Sequence, residues 1–282
     1  SSFLFIKLSI DTITPSLLTF YRLLIASIFL AFFCKKRKIL KLLIDNKILF
    51  FGIAIFGNVL PFNLISFSEI YVDSVVASTL IGTMPLFTFI ISFFLFKKQI
   101  FNLLSISGLL IGFIGMIIFI GLSNIFKPSL SSHFSLLIIV SALSYGLAAN
   151  LVKKIKDLSS LEIASFSTFL ATLFALPILF LDLRSFDSIY YDLIIKISFK
   201  SLFSATILGL FCTGLAILIF FHLIKIRNAV FASQSNYLIP CFGTLWAYLF
   251  LDENLSENMF FGFFLIVVGG WMVNTALKKK GQ

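Results

Sequence analysis

Arg22 stands inside the apolar run PSLLTFYRLLIAS, about six residues past its start. A guanidinium in such a setting is costly unless it is paired or binds something, which makes it a functional candidate by default. Its planar fork matches a carboxylate in a way that a lysine ammonium cannot copy. Two further charges can share its surroundings, Lys7 near the start of the chain and Glu69 at the end of another apolar run. The competing reading is a buried Arg22–Glu69 or Arg22–Asp11 pair that locks helices together. Uncharged polar side chains recur in equally apolar stretches. Asn58, Asn63 and Ser66 surround Pro61; Tyr145 and Asn150 share one run; Gln234, Asn236 and Tyr237 fall in a polar cluster with Trp246 beyond it. Residues of these types hold a ligand by hydrogen bonding and stacking. Each can also serve as a helix-to-helix hydrogen bond with no ligand at all.

Acid–base, metal and nucleophilic chemistry want other patterns. The two histidines, His133 and His222, lie far apart, as do Cys34, Cys212 and Cys241, with no metal-ligand spacing and no even-numbered disulfide framework. No glycine-rich nucleotide loop of the Walker type is present. The sequence therefore predicts no enzyme, no metal site and no cofactor. It also shows no filter loop of the kind a channel needs.

The elements that carry the candidate residues follow from composition. The chain of 282 residues is 60% hydrophobic and 12% charged, with mean hydropathy +1.09. A membrane-spanning helix needs about 20 mostly apolar residues, and stretches that fit lie at about 16–33, 48–69, 74–96, 102–122, 133–151, 160–181, 202–224, 229–250 and 258–277. Residues 3–10 supply half a span before Asp11, and the first residue is not Met, so the first helix is expected to have lost its beginning. A β-barrel would show short alternating strands instead.

The basic residues fall in alternate gaps. Lys35, Lys36, Arg37, Lys38, Lys41 and Lys47 fill one; Lys97 and Lys98, then Lys153, Lys154 and Lys156, then Lys225 and Arg227, and Lys278 to Lys280 fill others. The intervening gaps carry Asp11, Asp73, Asp182, Asp187, Asp192, Asp252, Glu253 and Glu257. The positive-inside rule then places both termini in the cytoplasm. A net charge of +10 distributed in this way argues against a nucleic-acid partner.

A repeat explains the charge pattern. A constant shift of 155 residues carries Ala77 to Ala232, Pro85 to Pro240, Lys97 to Asp252 and Lys98 to Glu253, preserving the apolar frame while inverting the charges. Five spans per half force the second half to enter the membrane upside down, so equivalent ends meet opposite leaflets. Inverted repeats of this kind build secondary transporters with a substrate site near the midplane.

The run PSLLTFYRLLIAS at 15–27, the run VVASTLIGTMPLFTFIISFFLFKK at 75–98 with GLLIGFIG at 108–115, and its copy VFASQSNYLIPCFGTLWAYLFLDEN at 230–254 resemble EamA-type members of the drug/metabolite transporter superfamily. The acidic ending of the copy is similar to the family's usual turn, from which Lys97–Lys98 departs. The resemblance implies an all-α polytopic membrane protein with ten transmembrane helices as two inverted-topology five-helix repeats, over 1–122 and 133–277, around a central cavity. It implies transport of a small molecule across the inner or plasma membrane. Amino acids or related metabolites are the expected cargo; a lipophilic cation, as in multidrug exporters, is the alternative, and a non-transporting scaffold the third. The 38 Phe residues fit either an aromatic-lined cavity or a compositional bias.

Overall fold

The computed structural model describes residues 2–34, 45–96, 103–120, 132–184, 197–242 and 257–278. Among these, every regular element is helical. Among the described residues, seven helices are long and apolar enough to cross a membrane: Pro15–Phe33, Lys47–Ser68, Val76–Phe96, His133–Lys154, Ser160–Asp182, Phe199–Ile226 and Asn258–Ala276. The charged ends compared in the repeat, Lys97–Lys98 and Asp252–Glu253, lie outside the described residues, as does Trp246.

Local sequence sets where the helices begin. Helix α1 is Ser2–Ile10 and α2 is Pro15–Phe33. Thr14 caps α2 by accepting from the Leu17 N–H, and Pro15 fills the first position, where a missing N–H costs nothing. Leu18, Arg22, Ala26 and Leu30 follow at four-residue spacing, and all four are buried. Helix α3 (Lys47–Ala54) passes through a π-helical turn, Ile55–Val59, into α4 (Leu60–Ser68). Pro61 has no N–H to donate, and a widened turn is one way a helix absorbs that loss.

Helices α5 (Ser74–Ile81) and α6 (Met84–Phe96) are separated at Gly82, and α7 is Leu103–Ile120. Helix α8 (Ser132–Lys154) is the central post, and α9 is Ser160–Arg184. A capping box starts α9. The Ser159 N–H donates to Glu162 Oε2 at 2.8 Å, while the Glu162 N–H donates back to Ser159 Oγ at 3.3 Å. Helix α10 (Phe199–Gly209) passes through a second π turn, Leu210–Leu215, into α11 (Ala216–Ile226). Asn228 caps the short α12 (Ala229–Ser233), which tightens into a 3₁₀ turn at Gln234–Tyr237. The last described helix is α13, Glu257–Lys278.

The shift of 155 maps Ile55 onto Leu210, so both π turns begin at equivalent positions. In each, one side chain donates to the backbone carbonyl five residues earlier: Asn58 Nδ2 to Ile53 O at 3.2 Å, and Thr213 Oγ1 to Leu208 O at 2.8 Å. Ala216 stands where the first half has Pro61, so the two turns share a polar side chain at the widened position and not a proline.

Helix pairing obeys the same exchange. Helix α1 packs on α10 and α8 packs on α4, while α2 pairs with α9 and α7 with α13. The α7–α13 seam runs through glycines. A Cβ on Gly262 would stand 2.6 Å from Gly115 O, and one on Gly269 would stand 2.5 Å from Gly108 O. Small residues let two backbones approach closely, as expected for helices packed in lipid.

Candidate functional site

Between the halves lies a cavity of about 590 Å³. Its wall takes Phe3 and Ile6 from α1, Arg22 from α2, Gly57 from the first π turn, and Phe62 and Ile65 from α4. Ile81 and Met84 add to it, with Tyr145, Ala148 and Ala149 from α8. Phe211 and Cys212 come from the second π turn, Phe220 and Phe221 from α11, and Ser235 and Asn236 from the 3₁₀ turn. The wall is mostly aromatic and aliphatic. Arg22 is the only charged side chain among the described lining residues.

Arg22 is 3% exposed and is held on two sides. Its Nε donates to Thr213 Oγ1 at 3.0 Å, and its Cζ lies 3.8 Å from the Phe62 ring centroid. The Phe62 ring in turn meets Tyr145 edge-on, with centroids 6.3 Å apart. Among the described residues no carboxylate lies within ion-pairing distance of the guanidinium. The competing reading's direct pair with Glu69 is not formed here: Thr213 and the face of Phe62 take that place. One edge of the fork is anchored, one face is stacked, and the two terminal nitrogens have no hydrogen-bond partner among the described residues. Such a group is preorganised for a planar anion.

Lys7 and Glu69 meet, but not charge to charge. The Lys7 ammonium donates to the Glu69 backbone carbonyl at 2.7 Å, while Glu69 Oε2 accepts from Ser74 Oγ at 3.3 Å.

The uncharged candidates divide. Tyr145 and Asn236 line the cavity, and Asn236 Nδ2 also donates to Ser233 O at 2.8 Å. Outside the lining stand Asn58, Asn63, Ser66, Asn150, Gln234 and Tyr237. Asn63 Nδ2 donates to Val59 O at 2.8 Å, and Asn58 serves its own π turn. Asn150 Nδ2 ties α8 to Thr88 O at 3.1 Å and to Gly146 O at 2.8 Å. Ser66 is fully buried with no hydrogen-bond partner for its hydroxyl. The polar cluster 234–237 does not face the cavity as one block. A 3₁₀ turn advances each side chain by a third of a circle. Ser235 and Asn236 therefore face inward, while Tyr237 turns onto Gly112 and donates to Leu109 O at 3.2 Å. Thr213 and Phe62 escape a reading of residue types, because a threonine and a phenylalanine in an apolar helix signal nothing. The repeat gives one hint, since the shift sets Thr213 opposite Asn58.

Among the described residues, an all-helical bundle with seven apolar spans, five of which line one cavity, is the build of a membrane carrier of small molecules. The model of the EamA-like transporter family matches residues 1–121 and 134–275, and the chain belongs to that family. It is a transporter of a small substrate in a membrane. Among curated relatives it is 26% identical over 278 residues to the "Uncharacterized transporter YoaV" of Bacillus subtilis (strain 168), covering 94% of this chain and 89% of that one. It is 38% identical over 102 residues to the "Uncharacterized transporter in trpA 3'region" of Buchnera aphidicola subsp. Schlechtendalia chinensis. That match spans 36% of this chain and 34% of the relative, about a third of its length. A solved crystal structure shares the fold with TM-score 0.71 and 16% identity, over 98% of this chain and 95% of that one.

Proposed function

We propose that this chain is a secondary transporter of a small metabolite bearing a carboxylate, an amino acid first among them, in the inner or plasma membrane. The observation that carries the reading is Arg22: among the described residues it is the one cation lining an aromatic cavity, anchored through Nε, with its terminal nitrogens unclaimed. Arg22 holds the carboxylate. Asn236 and Tyr145 offer polar contacts to the rest of the cargo, and the phenylalanines receive its apolar part.

In this reading ten spans form two inverted five-helix halves, 1–122 and 133–277, with both termini cytoplasmic. The matched π turns and the exchange of helix pairs between halves support it. No nucleic acid, metal or cofactor takes part. A lipophilic cation is disfavoured, since the described lining holds a guanidinium and no carboxylate.

Cys212 gives a test that works whatever the cargo, because its thiol lines the cavity next to Thr213. With Cys34 and Cys241 replaced by Ser, an anionic methanethiosulfonate should modify Cys212 faster than a cationic one, and Arg22→Gln should abolish that preference. Uptake into proteoliposomes from a panel of labelled amino acids, nucleosides and organic cations then identifies the cargo. Uptake of cations alone would defeat the carboxylate reading, and uptake of nothing would favour the scaffold.

A further inference from the structure

Glu69 is fully buried, and its carboxyl is poorly served. Oε1 has no hydrogen-bond partner, and Oε2 accepts one hydroxyl at 3.3 Å. A buried carboxylate persists only where several donors or a close cation compensate its lost hydration. The charged groups that act on it are Lys7 from α1 and Arg22 from α2. Both are engaged elsewhere, Lys7 on the Glu69 backbone carbonyl and Arg22 on Thr213 and Phe62. An acid so placed is accommodated as the neutral carboxylic acid.

Its position gives that proton a use. Glu69 follows Ser68 at the end of α4, one turn beyond Ile65, which lines the cavity. Two buried hydroxyls stand one turn from Glu69 and Arg22 along their own helices. Ser66 Oγ is one turn back on the same helix, and Thr19 Oγ1 is one turn from Arg22 on α2. Both are buried with no hydrogen-bond partner. Helix α1 carries Lys7 one turn from the cavity residue Phe3 and next to the cavity residue Ile6. A movement of α1 around cargo therefore shifts an ammonium that already rests on the backbone of the residue in question.

Resting on the transport reading above, we propose that Glu69 is a proton-binding site that couples proton movement to transport. In the state described, Glu69 carries its proton. When α1 shifts, the Lys7 ammonium crosses from the carbonyl to the carboxyl, and the O–H bond at Glu69 breaks. The proton passes to water and the electron pair stays on the carboxylate. Return of Lys7 to the carbonyl restores the acid by taking a proton from water on the other side. The structural alternative is a permanent ion pair that only ties α1 to α4.

Infrared difference spectra of the wild type and Glu69→Gln, both reconstituted in phosphatidylethanolamine–phosphatidylglycerol vesicles, separate the two. Between pH about 5 and about 9, the wild type should show a carboxylic-acid C=O band that survives to neutrality and is lost on the alkaline side. Glu69→Gln should lack the band and melt no lower than the wild type. Coincident spectra overturn the proposal. So does a Glu69→Gln protein that melts lower and is rescued by Lys7→Met. With labelled amino acids as probes, Glu69→Gln should keep exchange at equal concentrations and lose accumulation driven by a proton gradient; retained accumulation overturns it too. Wild-type vesicles that do neither sink the amino-acid reading of the cargo, and the infrared result still decides whether Glu69 holds a proton.

Discussion

At the scale of the residue, the arginine is defined by what it has already spent. Its Nε belongs to Thr213 and one face to Phe62, so a cargo meets a fixed edge rather than a free-swinging side chain. Thr213→Val should leave the protein in the membrane and weaken apparent affinity by about tenfold or more, the worth of one charged hydrogen bond. Thr213→Ser, which keeps the hydroxyl, should restore it. Concentration-dependent protection of Cys212 from alkylation reads this directly. Arg22→Lys should weaken affinity at unchanged net charge. Tyr237→Phe should do something different: the lost bond to Leu109 O costs about 1 kcal/mol of stability or less and leaves affinity unmoved, as a melting curve and an uptake curve together would show. Arg22, Tyr145 and Asn236 were legible in the sequence because polar groups in hydrocarbon need a reason to be there. Asn58, Asn63 and Asn150 looked the same, yet each donates to a carbonyl of its own helix. Residue type cannot tell these uses apart, since both satisfy the same donors.

At the scale of the element, two features carry predictions. The α7–α13 seam has no space for a methyl group, so Gly262→Ala and Gly269→Ala should lower membrane abundance and melting temperature. Gly214→Ala should be milder, because its nearest neighbour is a Phe29 side-chain atom at 3.0 Å rather than backbone. Thermal unfolding in detergent ranks the three. Gly108, Gly112 and Gly115, with Gly262, Gly269 and Gly270, are the residue type that close helix packing in lipid uses, so this seam is legible in the sequence, whereas the π turns are legible only in part. Gly57 and Pro61 are the types that break a helix in the first half. LFCTGL at 210–215 has Gly214 but no proline, and the widened turn there goes with the Thr213 hydroxyl donating to Leu208 O.

At the scale of the whole molecule, charge and repeat together define the topology to be tested. Single cysteines at Ser188 and Asp252, in a cysteine-free background, should react with an impermeant thiol reagent added outside intact cells. Cysteines at Lys36 and Lys154 should not. Labelling at Lys154 from outside would undo the inverted arrangement. The all-helical membrane fold was readable because hydropathy and charge act over whole spans. The cavity was expected from the family resemblance and the repeat, but its lining was not readable, because it is made where several helices meet and belongs to none of them.

The glycine seam also has a history during synthesis. Helix α7 leaves the ribosome long before α13 exists, and its glycine face has no other extensive partner among the described helices. Until α13 arrives, that face is covered only by lipid, which cannot enter the shallow groove as a facing backbone can. The first half of the chain therefore waits for the second to finish it. A nascent chain arrested before residue 257 would hold an unfinished surface at α7, the place where quality-control proteases should first take hold.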